Sequence, residues 1–384
     1  MLSRPRSTIA QAARVFATLS LGVAVAMASS VSAFAQNVPV VRDAEIEALV
    51  RDYARPIFRA AGLANDGIDI VLVNDQSFNA FVTGRRLFIN TGALMTAETP
   101  NEIIGVIAHE AGHIAGGHQQ KLRDQLERAK TMAIIATLLG AGAMVAGATT
   151  NSRGLAGAGV GVAAGGGEMA QRSILAYQRT EEMTADRSAI TYLNATGQSG
   201  MGMLKTFHRF QTALSLSGAQ VDPYRISHPM PRDRISNLEV LVKQSPNVDR
   251  PDPPALQQRH DMVRVKIAVY MEGQAAASRL MRKMQGTLAA LYGDAQSTYL
   301  FGNIAAALAK TNALIKAQPK NAYFQELRGD ILMKANKPKE AADAYAKAVS
   351  LDSARSGLLP VSMGQALMAV GTPDSLKKAV VQIN

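Results

Sequence analysis

The stretch "VIAHEAGHIAGGH", residues 106–118, places three of the chain's six histidines and a glutamate in a run that is otherwise small and apolar. Residues four apart on an α-helix share a face, so His109 and His113 present their imidazoles side by side. Glu110 follows one step of about 100° later and lies beside the pair. This is the H-E-x-x-H arrangement. In it, two neutral imidazoles bind Zn²⁺, and the glutamate stays outside the coordination sphere to take a proton from the attacking water. One zinc per chain is expected, with a third protein ligand and one open position.

His118 is a poor third ligand. It stands nine residues after His109, about half a turn away if the helix continues, and should point off the metal, as a structural residue or one that backs a ligand. The stretch "YQRTEEMTADRSA" (177–189) offers Glu182 and Asp186, four apart on a second expected helix. Glu182 can supply the third ligand. Asp186, one turn on, can accept a hydrogen bond from the far nitrogen of a ligating histidine and hold its tautomer. Glu181 competes, but Glu182 alone keeps the four-residue spacing to Asp186. Taken alone, such a pair reads as a solvated helix face. The H-E-x-x-H helix upstream makes it a ligand candidate. The chain has no cysteine, so metal ligands must come from His, Asp and Glu.

Outward from these motifs, the pattern is mainly helical with a small β region. Residues 38–64 carry the 3.6-residue spacing of an amphipathic helix, interrupted near Pro56. "IDIVLVND" (68–75) reads as a strand, and 79–95 as two further short strands around Gly84. A helix should begin near Pro100, with Thr99 as N-cap and Glu102 in its first turn. Residues 131–152 run for 22 positions without a charge, and a Gly/Ala-rich bias continues to 167. Two readings stand: a mobile hairpin or lid touching membrane or partner, and a buried helical pair with a glycine-rich connector. "SPNVDRPDPPAL" (245–256) carries four prolines in 12 residues and reads as a linker. Beyond it, Gly329, Leu332, Ala341, Tyr345 and Ala348 follow the offsets of a tetratricopeptide repeat, flanked by helical units of the same stack.

The N-terminus joins Arg4, Arg6 and Arg14 to an apolar run ending in Ala33-Phe34-Ala35. It reads as a secretory signal peptide cleaved after Ala35, with an uncleaved anchor as the alternative. The expected layout is a leader at 1–35, a peptidase domain at 36–245, a linker at 246–256 and repeats at 257–384. The net charge of +11 is spread along the chain without an aromatic-interleaved basic stripe, which argues against nucleic acid. It suits anionic membrane surfaces or acidic partners.

The segments "NAF" (79–81), "LFINTGAL" (87–94), "NEIIGVIAHEAGHIAGGH" (101–118), "RTEEMTAD" (179–186) and "SHPMPRDRI" (227–235) occur in order. Together they resemble the zinc metallopeptidases related to the CAAX prenyl endopeptidase and the bacterial heat-shock membrane protease. In layout the chain is most similar to periplasmic members that join such a domain to tetratricopeptide repeats. The resemblance implies a gluzincin-type domain with zinc held by His109, His113 and Glu182, Glu110 as general base and Asp186 behind a ligand. It also marks His228, in a His-Pro loop followed by Arg234, either as an oxyanion stabiliser or as a group that fills the open metal position. Thr184 and Gln178 depart from the family's usual glutamate and serine. The implied activity is hydrolysis of unfolded or stalled envelope polypeptides, with the repeats contacting outer-membrane assembly machinery. The competing expectation is a periplasmic chaperone or assembly adaptor whose metal site is idle or structural.

Overall fold

The structure, a computed structural model, describes residues 39–64, 67–150, 152–217, 228 and 232–383. The expected leader and its cleavage site lie outside these residues.

The chain starts with a short strand β1 (Val40–Val41) and helix α1 (Ala44–Ala60). Asp43 caps α1, its side chain accepting from Ile46 N at 2.9 Å. Ile46, Leu49, Val50, Tyr53 and Ile57 recur at three- and four-residue steps and are all buried. Each such apolar side chain contributes about 1.5–3 kcal/mol. The helix runs through Pro56, where the sequence pattern suggested an interruption. Ile57 and Phe58, just past the proline, belong to the central core, and their packing holds the last turn in place.

Strands β2 (Asp69–Val73), β3 (Ala80–Thr83) and β4 (Arg86–Asn90) complete a four-stranded sheet in the order β1-β2-β4-β3. β2 pairs with β4 in parallel, β3 with β4 antiparallel. Gly84, at φ +60°, makes the turn between β3 and β4. Residues 91–95, expected as strand, instead belong to a short helix α2 (Thr91–Thr96) that buries Ala93 and Leu94.

Helix α3 (Pro100–Ala115) crosses the centre of the core. Glu102 in its first turn accepts from Glu98 N at 3.1 Å and pairs with Arg209 at 2.5 Å. Helices α5 (Arg153–Ala195) and α6 (Met201–Ser217) close in on α3. A Cβ at Gly112 would stand 3.0 Å from Ala185 O, so the bare glycine lets α5 lie against the H-E-x-x-H face.

Helix α4 (His118–Thr149) and the first half of α5 form the arms of a hairpin. Added Cβ atoms at Gly147 and Gly159 would strike Ala156 and the Gly140 carbonyl on the opposite arm, so small residues let the arms touch. Outward, the hairpin exposes Met132, Ile134, Leu138, Leu139, Val145 and Val160. The buried-pair reading of this stretch is therefore not what the fold adopts. The arms are helical but their apolar faces are open.

After α7 (Arg232–Lys243), the proline-rich stretch lies against the body, with Asp252 accepting from Asn101 N at 3.0 Å. Helix α8 (Pro254–Ile267) puts Val263 and Ile267 into the same core as α3. Its Lys266 pairs with Asp43 and Glu45 at the start of α1. Residues 245–256 thus connect packed elements rather than separating two bodies. From Val41 onward the chain is one compact unit. A five-residue π-turn and helices α9 (Gln274–Lys283), α10 (Leu288–Phe301), α11 (Ile304–Ala317), α12 (Ala322–Lys334), α13 (Pro338–Leu351), α14 (Leu358–Val370) and α15 (Pro373–Ile383) follow. α12 and α13 meet where Gly329 leaves room for the Tyr345 ring, as a helical repeat requires.

Candidate metal centre

The core delivers four donors to one spot. His109 and His113 come from α3, Glu182 from α5 and His228 from the chain before α7. All four are buried, and their donor atoms lie within 4.8 Å of one another. His109 Nε2 is 3.0 Å from His113 Nε2 and 3.4 Å from Glu182 Oε2. His113 Nε2 is 3.4 Å from Glu182 Oε1, and His228 Nδ1 is 3.3 Å from His109 Nε2 and 3.1 Å from Glu182 Oε1. Tetrahedral zinc bonds of about 2.0–2.1 Å imply ligand–ligand edges of about 3.3–3.4 Å. The donor set, three imidazoles and a carboxylate without sulfur, fits such an ion.

The histidine lone pairs are turned inward by partners behind them. Asp186 Oδ1 lies 3.0 Å from His109 Nδ1, so Nδ1–H donates outward and Nε2 faces the centre. For His113 the partner is His118, with Nδ1 to Nδ1 at 2.9 Å. On its far side, His118 Nε2 lies 2.6 Å from a carboxylate oxygen of Glu181. The chain reaches this geometry because α3 ends at Gly116. Gly117, at φ +63°, turns the backbone before α4 starts at His118. His118 therefore sits behind the cluster rather than half a turn away along one continuous helix. Of the two neighbouring carboxylates, Glu182 enters the cluster, while Glu181 lies beside His118.

Arg234 ties the other side. Its guanidinium donates to Asp186 at 2.5 and 2.8 Å, pairs with Glu182 at 2.6 Å and lies over the Phe207 ring at 4.9 Å. It is 1% exposed, so its charge is balanced by those two carboxylates. Sequence reasoning noted Arg234 only as a neighbour of the His-Pro loop. The charge partners that explain it lie about fifty residues upstream.

The electrostatics follow from these contacts. Burial raises Glu182, but hydrogen bonds from His109, His113 and His228 more than offset that and hold its carboxyl far below the usual range. Asp186 is likewise lowered, burial being outweighed by Arg234 and His109. Burial lowers His113 and His228, which favours their neutral forms. Burial also lowers His109, yet its bonds to Asp186 and Glu182 carry it up to about 9.

Glu110 stands apart. It is completely buried, and neither carboxylate oxygen has a hydrogen-bond partner, although His228 Nε2 approaches to 3.3 Å. Burial pushes it up to about 7, where it can exchange a proton near neutrality. It opens onto a cavity of about 170 Å³ lined also by Phe81 and Val82 of the edge strand, Tyr177 and Gln119.

The family profile described as "Peptidase family M48" matches residues 41–242, just over half of the chain. Among curated proteins, the chain is 24% identical over 334 residues to the "Beta-barrel assembly-enhancing protease" of Yersinia pestis, covering 85% of this chain and 66% of that one. It is 23% identical over 306 residues to the "Putative beta-barrel assembly-enhancing protease" of Vibrio cholerae serotype O1, covering 77% and 60%. The "Beta-barrel assembly-enhancing protease" of Escherichia coli K12 is 21% identical over 368 residues, covering 93% and 72%. The chain thus spans about two thirds of the length of these relatives. With its matched region containing both metal-site helices, the chain belongs to peptidase family M48, a family of metal-dependent peptidases.

Proposed function

We propose that the protein is a zinc endopeptidase of the cell envelope that cleaves unfolded or unassembled exported polypeptides. The observation that carries this reading is the buried meeting of His109, His113 and Glu182, with Glu110 beside them and its oxygens without a hydrogen-bond partner. In this reading His109, His113 and Glu182 hold the ion, and Asp186 and Arg234 hold His109 and Glu182. Zinc bound there would supply Lewis-acid polarisation of the scissile carbonyl. Glu110 takes a proton from the attacking water onto its free carboxylate and returns it to the leaving amine. Its value of about 7 suits both halves of that transfer. The substrate strand lies along β3, the edge of the sheet bordering the same cavity. Backbone pairing there favours extended, unfolded chains over a fixed sequence.

The envelope setting rests on the leader-like N-terminus and on the names of the relatives, which call them beta-barrel assembly-enhancing proteases. We place the client among outer-membrane assembly intermediates on the same basis. In this reading the peptidase body is followed by tetratricopeptide-like repeats that contact the assembly machinery. The open apolar hairpin makes peripheral contact with the membrane.

A second reading, an assembly chaperone with an idle site, is favoured by His228. Its Nδ1 stands among the donors at 3.1–3.3 Å, where it fills the position that water would need. One experiment separates the two. Metal content and cleavage of an unfolded protein are measured for wild type, Glu110→Gln and His228→Ala. The peptidase reading expects one zinc per chain in all three, a loss of about 10²–10⁴-fold in rate for Glu110→Gln, and hydrolysis by wild type. Equal cleavage by Glu110→Gln and wild type would overturn it. Cleavage that appears only in His228→Ala would establish the idle state.

A further inference from the structure

A second cavity, of about 230 Å³, opens where the start of α1 meets α8, α10 and α12. That is many times the space one water needs. Its polar lining is unbalanced. Arg42 is committed to Glu47 at 2.7 Å, and Lys266 to Asp43 and Glu45 at 2.8 and 3.1 Å. Glu326 and Asp330, four apart on α12, face the same space. Asp330 accepts from Tyr345 OH at 2.6 Å. Glu326 has no hydrogen bond or ion pair among the described residues.

A further residue makes the deficit specific. Gln296 is 1% exposed and lines the cavity, and its Oε1 has no hydrogen-bond partner. A buried carbonyl oxygen without a donor is costly, so the site lacks an N–H or O–H. Burial also raises Glu326 and Asp330, even against the opposing pull of the nearby Lys266 charge. A bare metal ion is a poor fit. Among the described residues, His, Asp and Glu donors converge tightly enough for an ion only at the His109 cluster. Tyr270, Tyr323, Ile46 and Met271 line the rest of the cavity, a wall suited to an aliphatic stem.

We propose that this cavity receives the cationic side chain, lysine or arginine, of a bound polypeptide. Its N–H groups donate to Gln296 Oε1 and to the Glu326 carboxylate, and its stem lies along Tyr270 and Tyr323. The choice of a polypeptide as the source rests on the peptidase reading, while the preference for a cation does not.

Binding is read by titration calorimetry of the full chain with a glycine–serine peptide carrying one central lysine. The same peptide with norleucine and free putrescine serve as comparisons. We expect saturable binding of the lysine peptide and at least tenfold weaker binding of the norleucine peptide. Glu326→Gln should weaken the lysine peptide at least tenfold. Gln296→Leu, which removes the acceptor without a charge change, should weaken it in the same direction and covers the case in which Glu326→Gln fails to fold. No saturable binding, equal binding of norleucine, or an affinity unchanged in a folded Glu326→Gln would overturn the proposal. Tighter binding of putrescine than of the lysine peptide would overturn the polypeptide source. Because no hydrolysis is measured, these outcomes are independent of the proteolysis tests on Glu110.

Discussion

Asp186 does not belong to the four-donor cluster, yet it bonds His109 and Arg234 together. Removing its charge should therefore act through those neighbours. Asp186→Asn removes the charge of one of the two carboxylates that, among the described residues, face the buried Arg234 guanidinium, and it weakens the bond that fixes the His109 tautomer. Zinc affinity should fall about 10–100-fold, measured by competition with a chromophoric chelator. Stability should fall as well, by up to the roughly 3–5 kcal/mol typical of breaking a buried ion pair. Unchanged zinc affinity would remove Asp186 from the site. At this scale the ligand helices were legible because four-residue spacing on a helix is a strong local signal. That spacing sets His109 beside His113 and Glu182 beside Asp186, and the fold brings the two pairs together. Arg234 and the His118–Glu181 pair were not legible as partners. Their contacts join separate elements, and the break at Gly117 resets the helical phase on which the reading of His118 depended.

At the scale of elements, the edge strand and the start of α4 are coupled through one side chain. Gln119 Nε2 donates to Val82 O, and its Oε1 accepts from Gly84 N at 3.0 Å. The carboxamide thus pairs with β3 as the backbone of an added strand would. A substrate strand on β3 must displace it. Net hydrogen-bond contributions of about 0.5–1.5 kcal/mol each make that displacement a real competitor to binding. Gln119→Ala should raise kcat/KM on an unfolded substrate by about tenfold, chiefly through a lower KM. A decrease would mean that Gln119 supports the strand or contacts substrate directly. The elements themselves were readable in unequal measure. Strong periodicity marked α1, α3 and the tail helices. Thr91–Thr96 was misread because a short apolar run does not distinguish strand from helix, and burial of Ala93 and Leu94 decided for helix. The hairpin with open faces was one of two readings that the sequence left standing. Small-residue spacing gives arm-to-arm contact but not what lies outside the arms.

For the molecule as a whole, His260 reports how the tail helices and the peptidase body share one stability. It sits on α8, fully buried, between α1 and the end of α2. Its Nε2 must donate to the Ala97 carbonyl, at 2.9 Å, so in the neutral ring Nδ1 accepts from Tyr53 OH at 3.0 Å. Burial pulls it down to about 4 from an ordinary value of 6.5. Between those two values the unfolded chain binds a proton that the folded chain refuses, so the ring's contribution is complete above pH 6.5 and is lost as pH falls toward 4. A gap of roughly 2.5 units corresponds to about 3 kcal/mol. His260→Gln retains a donor and an acceptor but has no charge to gain. Urea unfolding followed by circular dichroism from pH 7 to 4 should show the wild type losing about 3 kcal/mol more than the variant over that range. Because α8 contributes to both the central core and the neighbouring tail cluster, body and tail should melt in one transition at each pH. Parallel pH profiles for wild type and variant would mean that His260 is not held neutral. Two separate transitions would mean that the proline-rich stretch divides the chain energetically, even though it is packed.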